Sequence, residues 1–447
     1  MRSRQSAVRL SLLLGLACLS VQAVSADLLQ VYREALANDA QYAAARATVE
    51  AGREKLPQGL AGLLPVIGAT AGTVWNENRY RVDGQPALEK DYNTHTYNVS
   101  LTQPLFRWQN VVQYGQAKWQ VAQAEAVFAQ ASQDLVLRVA QAYFDVLYAQ
   151  ENLAAVRASK QAIAQQLEQA KRNFEVGTAT ITDTHEAQSR FDLVSAQELA
   201  GENDLEVKRY ALRVIVGREL GELARLRADA TLLPPQPASM EQWVVAAEND
   251  SFQVQAQQAA VEVAQREVER MRAGHYPTLD VVANYGKTDS LLSASSSSSP
   301  GLETDARNIG LQLSIPIYQG GAVSSRTREA IANRSAALSS LENIRRTATL
   351  NARQSFLGVV NGLAQIRALS AALVSGISAL ESNRLGYEVG VRINIDVLNA
   401  EQQVYVTRRD LAKARFDTLL AQLRLKAAVG TLEEGDLERI NPLFETP

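Results

Sequence analysis

The chain has 447 residues and a formal net charge of −3; 46% of its residues are hydrophobic and 21% are charged. This is the composition of an ordered protein, and the lack of a basic surplus argues against a nucleic-acid-binding protein. The three histidines are far apart and Cys18 is the only cysteine, which excludes Cys/His metal clusters and disulfide frameworks and argues against thiol catalysis. We therefore expect no catalytic residue, no metal site and no cofactor.

Residues 1–26 have the pattern of an export signal. Three arginines precede an apolar stretch from Leu10 to Val21, and the small residues Val24-Ser25-Ala26 form a cleavage motif. Cys18 lies inside the apolar stretch, but Gly15 stands where a lipoprotein box normally has leucine, so we expect no lipidation. No later stretch approaches the ~18 consecutive apolar residues of a transmembrane helix. The exported chain is therefore either soluble or inserted into a membrane by a structure other than an apolar helix.

The longest predicted helix lies in the first half of the chain. Residues 116–176 contain neither glycine nor proline, and one helix of that length would run roughly 90 Å. Apolar residues recur there at alternating spacings of three and four, which indicates a coiled-coil seam at positions 128, 132, 135, 139, 142, 146, 149, 153, 156, 160, 163, 167, 170 and 174. Only Ser132 and Lys160 interrupt the row. On its own this segment would indicate a fibrous rod. Shorter helix-favouring stretches without glycine or proline include 322–357 and 391–429.

The two halves of the chain match each other. Pro104 and Pro316 lie 212 residues apart in similar segments, and Gly177 and Gly390 lie 213 residues apart. One tandem duplication explains these matches. We therefore predict a signal peptide at 1–26, a first repeat at 27–217, a linker at 218–237, a second repeat at 238–430 and a tail at 431–447, with linker and tail forming a smaller mixed region beside the helices.

Each repeat contains a pair of predicted strands, at about 66–103 and about 279–315. Apolar and polar residues alternate in runs of about ten residues, which is typical of a transmembrane β-strand. Polar loops are predicted at 77–91 and 287–306, the second with a flexible serine run at 295–299. A half-buried sheet in a soluble domain would show the same alternation. The export signal and a set of aromatic residues in or beside the strands favour the membrane: Trp75, Tyr80, Tyr92, Tyr97, Tyr276 and Tyr285.

Four strands are too few to close a membrane barrel, because known barrels begin at about eight strands. An open edge is not tolerated in lipid, since each unpaired backbone group there costs several kcal/mol. If these strands span a membrane, subunits must share one barrel. The strand count therefore predicts an oligomer.

Three segments resemble the TolC family of outer-membrane export ducts, and the resemblance extends over about 27–441. Residues 274–280 are similar to the family's helix-to-strand junction, 313–321 to its strand-to-helix junction, and 386–398 to its periplasmic helix turn. The resemblance implies a mainly α-helical homotrimer with membrane strands. A twelve-stranded β-barrel in the outer membrane of a Gram-negative cell would continue into a twelve-helix α-barrel across the periplasm, with a mixed α/β equatorial region.

The resemblance also implies what the protein does. It would be a non-enzymatic duct for drugs, toxins or type I secreted proteins. Its partners would be further copies of itself, a periplasmic adaptor (membrane fusion) protein, an inner-membrane pump of the ABC or RND type, and outer-membrane lipid, but no nucleic acid. The residues alone do not separate drug efflux from protein secretion.

Gate residues follow from the same resemblance. In this family hydrogen bonds and ion pairs near the two helix turns close the periplasmic end, and the matching positions are Thr182, Asp183, Tyr387, Arg392 and Asp396. Close family members have a second acidic residue where this chain has Asn399. We therefore expect one ring of three carboxylates, and weaker cation binding than two rings would give.

Purely structural roles compete with the gate roles. Asp183 and Glu186 have the spacing of a capping box, and Asp396 could cap the helix that follows it. Gly177 and Gly390 are expected to end helices in the left-handed conformation. The same residues can therefore shape the turns and close the duct.

Two other functional classes stay open. A periplasmic or surface coiled-coil scaffold or adhesin without a pore would account for the long helix. An exported enzyme is disfavoured, because the sequence contains no nucleophile elbow, metal cluster or phosphate-binding loop.

Overall fold

The structure, a computed structural model, describes residues 26–81, 83–290 and 302–445. The signal sequence up to position 25, with Cys18, and the serine run at 295–299 lie outside the described residues. The helices are α1 Leu28–Asn38, α2 Ala40–Arg53, α3 Lys55–Ala61, α4 Trp108–Glu175, α5 Ile181–Val216, α6 Met240–Asp250, α7 Phe252–Arg272, α8 Ala322–Glu388, α9 Asn394–Ala428 and α10 Glu434–Ile440. The strands are β1 Val66–Tyr80, β2 Leu88–Phe106, β3 Arg225–Leu226, β4 Thr278–Ser290, β5 Leu302–Ser314 and β6 Phe444–Glu445.

The predicted long helix is α4, whose 68 residues extend for about 100 Å. It packs against α5, α7 and α9. Most of its seam positions are buried, namely 135, 139, 142, 146, 149, 153, 163, 167 and 170. Ser132 and Lys160 are half-buried, while Phe174 at the end of the seam is 44% exposed. The periodicity therefore predicted the buried stripe of α4 correctly except at its last turn.

α8 is a second long helix, with 67 residues, and it extends far beyond the predicted 322–357. The glycines at 358, 362, 376 and 386 all lie inside it. A Cβ atom at Gly362 would clash with Oγ1 of Thr418 on α9, so a side chain at this position would force one of the two helices to shift. A glycine in a helix interior costs about 1 kcal/mol relative to alanine. Close packing of α8 against α9 offsets that cost, which local sequence could not show.

The four long strands form one antiparallel sheet in the order β1-β2-β4-β5. The central pairing of β2 with β4 joins the two halves of the chain. Where this sheet meets the helices, Arg107 donates two hydrogen bonds to the carboxylate of Asp280, at 2.8 and 2.6 Å. Among the described residues, β1 and β5 are each paired along one side only. The sheet therefore has two open edges.

The strands are longer than the sequence predicts. Strand β1 reaches Tyr80 and β2 begins at Leu88, so the predicted loop 77–91 is wrong at both ends. The predicted loop 287–306 is likewise shortened by β4 and β5. Polar cross-strand pairs explain the difference: Asn76 donates to Thr94 at 2.9 Å, and Asn78 donates to Tyr92 at 3.0 Å. Such pairs extend a sheet beyond its apolar part.

A mixed region lies beside the middle of the long helices. Strand β3, which follows the first half, pairs with β6 near the end of the chain. Ala26 is buried and forms a parallel bridge with Leu223. The buried hydroxyl of Tyr143 shares its one hydrogen between the carbonyls of Ala26 (3.2 Å) and Ala224 (3.0 Å). Ala26, which the cleavage motif places at the end of the signal, thus has a defined position in the fold.

Candidate functional site at the helix turns

Two turns, one joining α4 to α5 and the other joining α8 to α9, have the same backbone geometry. The N–H of Gly177 donates to the carbonyl of Phe174 at 3.0 Å, and that of Gly390 donates to Tyr387 at 3.1 Å. Gly177 has φ +74° and Gly390 has φ +78°, a region that residues with a side chain rarely adopt. The two hairpins therefore end in equivalent turns.

A capping box begins α5, but it is not the predicted one. Thr180 precedes the helix, and its hydroxyl accepts the N–H of Asp183 at 3.3 Å. The Asp183 carboxylate accepts the N–H of Thr180 at 2.9 Å and its hydroxyl at 2.8 Å. The capping box predicted at Asp183 and Glu186 is therefore wrong, because Thr180 and Asp183 satisfy each other one turn earlier. Thr182, in the same first turn, is exposed.

Asp396 lies in the first turn of α9, one turn after Arg392. Nη1 of Arg392 is 3.6 Å from Oδ2 of Asp396, and their side chains are 58% and 34% exposed. The predicted capping role of Asp396 is not observed: Ile393 precedes the helix, and its carbonyl accepts the N–H of Asp396 at 3.1 Å. The carboxylate instead lies near the positive end of the helix dipole. An ion pair this exposed contributes at most about 1 kcal/mol.

Tyr387 links the two hairpins near their ends. Its hydroxyl accepts a hydrogen bond from Nδ2 of Asn173 on α4, at 3.2 Å. Asn173 was not singled out from the sequence, since an isolated asparagine near a helix end has no distinctive pattern. The predicted gate residues of the two turns do not bond to each other within one protomer. Among the described residues, no hydrogen bond or ion pair joins the first-turn pair, Thr182 and Asp183, to the second-turn group, Tyr387, Arg392 and Asp396.

A second set of polar contacts lies farther from the turns and was also missed. Nη2 of Arg190 on α5 donates to Oδ1 of Asn399 on α9 at 2.9 Å, and Nη1 of Arg190 donates to Oε1 of Gln402. Nη2 of Arg384 on α8 donates to Oε1 of Glu401 at 3.1 Å. Arg190 thus crosses from the first hairpin to the second, while Arg384 joins the two helices of the second hairpin.

Glu401 is unusual because its side chain is only 2% exposed. Its Oε2 atom is buried without a hydrogen-bond partner among the described residues. Burial raises the pKa of this carboxyl group, and the nearby charge of Arg384 opposes the rise. Glu401 lies four residues after Val397 and three before Val404, in a buried apolar stripe of α9. A glutamate at such a position is the sequence signal by which this buried acid could have been found.

The helices of the first hairpin are joined by ion pairs at their facing sides. Glu198 of α5 accepts hydrogen bonds from Lys160 at 2.7 Å and from Arg157 at 3.1 Å, both on α4. The hydrogen bond from Lys160 lowers the pKa of Glu198, and Arg157 acts in the same direction. These contacts explain how Lys160 is accommodated in an otherwise apolar seam. The group of residues around the turns offers charge and hydrogen bonds but no catalytic arrangement.

Helical hairpins that continue into the strands of one antiparallel sheet define the class of outer-membrane channel protomers. Two solved structures share this fold. CusC matches with a TM-score of 0.77 at 18% identity over 91% of this chain and 92% of its own. VceC from Vibrio cholerae matches with a TM-score of 0.76 at 19% identity over 90% of this chain and 96% of its own.

Sequence comparison identifies the family. The model for "Outer membrane efflux protein" matches residues 31–218 and 243–431. Outer membrane protein TolC of Vibrio cholerae is 33% identical over 429 residues, 96% of each chain. The alkaline protease secretion protein AprF of Pseudomonas aeruginosa is 33% identical over 433 residues, 95% of this chain and 89% of its own. The chain belongs to the outer membrane efflux protein family.

This membership confirms the resemblance and decides between the functional classes. The protein is an export channel of the Gram-negative outer membrane, in a family of non-enzymatic conduits. A scaffold or adhesin without a pore is no longer needed to explain the long helices. The number of copies, the gate and the cargo require further argument.

Proposed function

We propose that three copies of the chain complete one duct, with a barrel of twelve strands and a tunnel of twelve helices. The observation that carries this proposal is the pair of open edges on the four-stranded sheet. Their backbone groups cannot be left unpaired in lipid, so strand β1 of one copy must pair with β5 of the next. Three protomers give a strand number within the range of known barrels.

The helical layer supports the same assembly. α4 packs against α5 and α9, and α9 packs against α8, so α5 and α8 lie at the two sides of the protomer. Both sides expose large apolar residues, such as Val214 on α5 at 81% and Val374 on α8 at 68%. α8 even contains one stretch long and apolar enough to cross a membrane, although none of it is buried within the protomer. The α5 side of one copy would cover the α8 side of the next.

The duplication supplies each protomer with two strand hairpins and two helical hairpins. Each of the two repeats, 27–217 and 238–430, supplies one strand hairpin and one helical hairpin. The linker 218–237 and the tail 431–447 meet through β3 and β6, which supports their assignment as one equatorial region. The family model matches the chain in two segments, which also supports two repeats.

Thr182, Asp183, Tyr387, Arg392 and Asp396 are the proposed gate at the periplasmic end. They lie in or beside the two turns, at the free ends of the hairpins farthest from the sheet. Because Thr182 and Asp183 make no bond to the second turn of their own protomer among the described residues, they are available to the turn of a neighbouring copy. Three copies of Asp396 would form one acidic ring, partly neutralised by Arg392 at 3.6 Å.

The duct would work with a periplasmic adaptor protein and an inner-membrane pump of the ABC or RND type. The names of two relatives support a protein as the cargo. One is the alkaline protease secretion protein AprF, and the other is the proteases secretion protein PrtF of Dickeya chrysanthemi, which is 32% identical to this chain over 451 residues. The TolC relatives and the efflux family name support a broader role. We propose export of small toxic molecules, of secreted proteins, or of both.

Deletion of the gene tests the cargo directly. Loss of duct function predicts greater sensitivity to several unrelated drugs, loss of at least one secreted protein from the medium, or both. A deletion strain that is unchanged in a drug-susceptibility panel and in its secreted proteins would contradict the export role. Complementation with the intact gene is the control.

A further inference from the structure

We propose that Arg190 is a second latch of the closed duct, separate from the gate residues at the turns. It would hold α9 against α5 and so keep the two hairpins of one protomer together. The proposal rests on the proposed closed state of the periplasmic end. It concerns a residue that neither the family resemblance nor the turn geometry identifies.

The geometry of Arg190 suits a latch between two helices. Its guanidinium group donates from two different nitrogen atoms, to Asn399 at 2.9 Å and to Gln402. The two acceptors are three residues apart and therefore lie on the same face of α9. A planar guanidinium can bind two such acceptors at once, whereas the single ammonium of a lysine cannot hold the same fork. Arg190 therefore fixes both the distance and the rotation of α9 relative to α5.

The contact of Arg190 lies near the helix ends that would separate when the duct opens. Arg190 and Gln402 lie within the first three turns of α5 and α9, close to the ends that must separate when the duct opens. Beside the contact, α4, α5 and α9 meet in a small apolar cluster of Ile163, Val194 and Leu398. Asn399 directly follows Leu398 on α9, and Arg190 lies one turn before Val194 on α5, so the polar contact and the apolar cluster join the same two helices at the same level.

Glu401 ties α9 to α8 within the second hairpin, at the level of the Arg190 contact. It is the neighbour of Gln402 in sequence, and Arg384 binds its buried carboxylate at 3.1 Å. In the first hairpin, the ion pairs of Glu198 tie α5 to α4. Each hairpin is therefore held together internally at this level, and Arg190 connects one to the other. When that connection is lost, the hairpins are held less firmly at this level, and the packing of α4 against α9 and the hydrogen bond between Asn173 and Tyr387 remain to hold them.

Single-channel recording in planar bilayers tests the latch. Replacing Arg190→Ala should raise the fraction of time that the channel is open about fivefold, which corresponds to a loss of about 1 kcal/mol from the closed state only, the upper value for an exposed charged contact. The matched control is Arg213→Ala, because Arg213 is an exposed arginine on the same helix whose side chain makes no hydrogen bond with the described residues. The control should behave as the unaltered channel does. Equal open fractions for Arg190→Ala and the unaltered channel would overturn the proposal.

The acceptor side provides an independent check. The double variant Asn399→Ala with Gln402→Ala should open the channel to the same extent, and adding Arg190→Ala should then have no further effect, because all three residues form one contact. Arg190→Lys should be intermediate. Additive effects of the two sides would contradict a direct latch.

A parallel measurement on Arg392→Ala separates the latch from the gate at the turns. Opening by Arg392→Ala but not by Arg190→Ala would refute the latch and leave the gate in place. Opening by Arg190→Ala alone would support the latch and refute the role assigned to Arg392. Each variant is recorded only after its migration as a heat-modifiable oligomer shows that it has folded.

A reversible cross-link supplies the opposite perturbation. Cys18 is the only cysteine and lies in the predicted signal, so Arg190→Cys with Gln402→Cys introduces two unique thiols. A short bifunctional reagent that forms a disulfide with each thiol should then hold the channel closed, and a reducing agent should return it to the raised open fraction expected when Arg190 is absent. Normal opening of the cross-linked protein would overturn the proposal.

Discussion

Gly362 offers a sharp test of the close packing between α8 and α9. In Gly362→Ala the new Cβ atom would clash with Oγ1 of Thr418 and lie 3.2 Å from its Cβ. Thr418 is 1% exposed and its hydroxyl donates to the carbonyl of Ala414 at 2.6 Å, so it cannot turn aside without losing that bond. One of the two helices must move.

Two opposing effects determine how much Gly362→Ala changes the free energy of unfolding. Overpacking of a core costs about 1–3 kcal/mol, and replacing glycine by alanine in a helix returns up to about 1 kcal/mol. Gly362→Ala should therefore lower the free energy of unfolding by about 1–2 kcal/mol per protomer. Gly358→Ala is the matched control on the same helix: its Cβ atom would lie 3.5 Å from that of Ala421, which is an ordinary contact. It should leave stability unchanged or raise it by up to about 1 kcal/mol.

Denaturant unfolding of the detergent-solubilised protein, followed by far-ultraviolet circular dichroism, measures both changes. Combining Gly362→Ala with Thr418→Ala removes the hydroxyl that causes the clash and should recover part of the lost stability. If Gly362→Ala and Gly358→Ala were equally stable, the close approach of α8 and α9 at this level would be refuted.

Four further predictions concern the gate, the cation site, a buried acid and the chain terminus. Arg392→Ala should raise single-channel conductance in planar bilayers, because the charged contacts near the turn are lost; unchanged conductance would count against the gate. Asp396→Ala should abolish block of the pore by divalent cations, and persisting block would reassign that site. Because the pKa of Glu401 is raised in the folded protein, its contribution to stability is fully present below its unfolded value near 4.5 and is lost as the pH rises through the folded value. Glu401→Gln should therefore flatten the pH dependence of unfolding, and an unaltered pH profile would contradict its raised pKa. Amino-terminal sequencing of the mature protein tests the predicted cleavage after Ala26: a chain beginning at position 27 is expected, and retention of Ala26, which in the structure is buried and bridged to Leu223, would contradict the predicted signal peptide.

The sequence was sufficient for features that follow from periodicity. The three-four spacing of α4 predicted a long helix and most of its buried stripe, because a seam of small apolar residues can only be covered by other helices. The alternation in the four strands and their number predicted a sheet with two open edges. The segments at two strand–helix junctions and at the second helix turn, 274–280, 313–321 and 386–398, led to the family that the comparisons confirm.

Features that depend on contacts between distant segments were not predictable. The sequence near Gly362 does not show that Thr418 lies against it, so the stretch without glycine, 322–357, gave no indication that α8 continues through four glycines. The polar pairs that lengthen the strands, such as Asn78 with Tyr92, resemble loop residues until the register is known. The contacts of Arg190 join residues 209 and 212 positions apart, and no local pattern marks them.

The stoichiometry of the protein extracted from outer membranes shows whether several copies of the chain share one barrel. Native mass spectrometry of the detergent-solubilised protein should show three copies of the chain in one particle, since only neighbouring copies can pair the open edges of β1 and β5. A stable, correctly folded single chain that stays in solution without detergent would contradict the shared barrel.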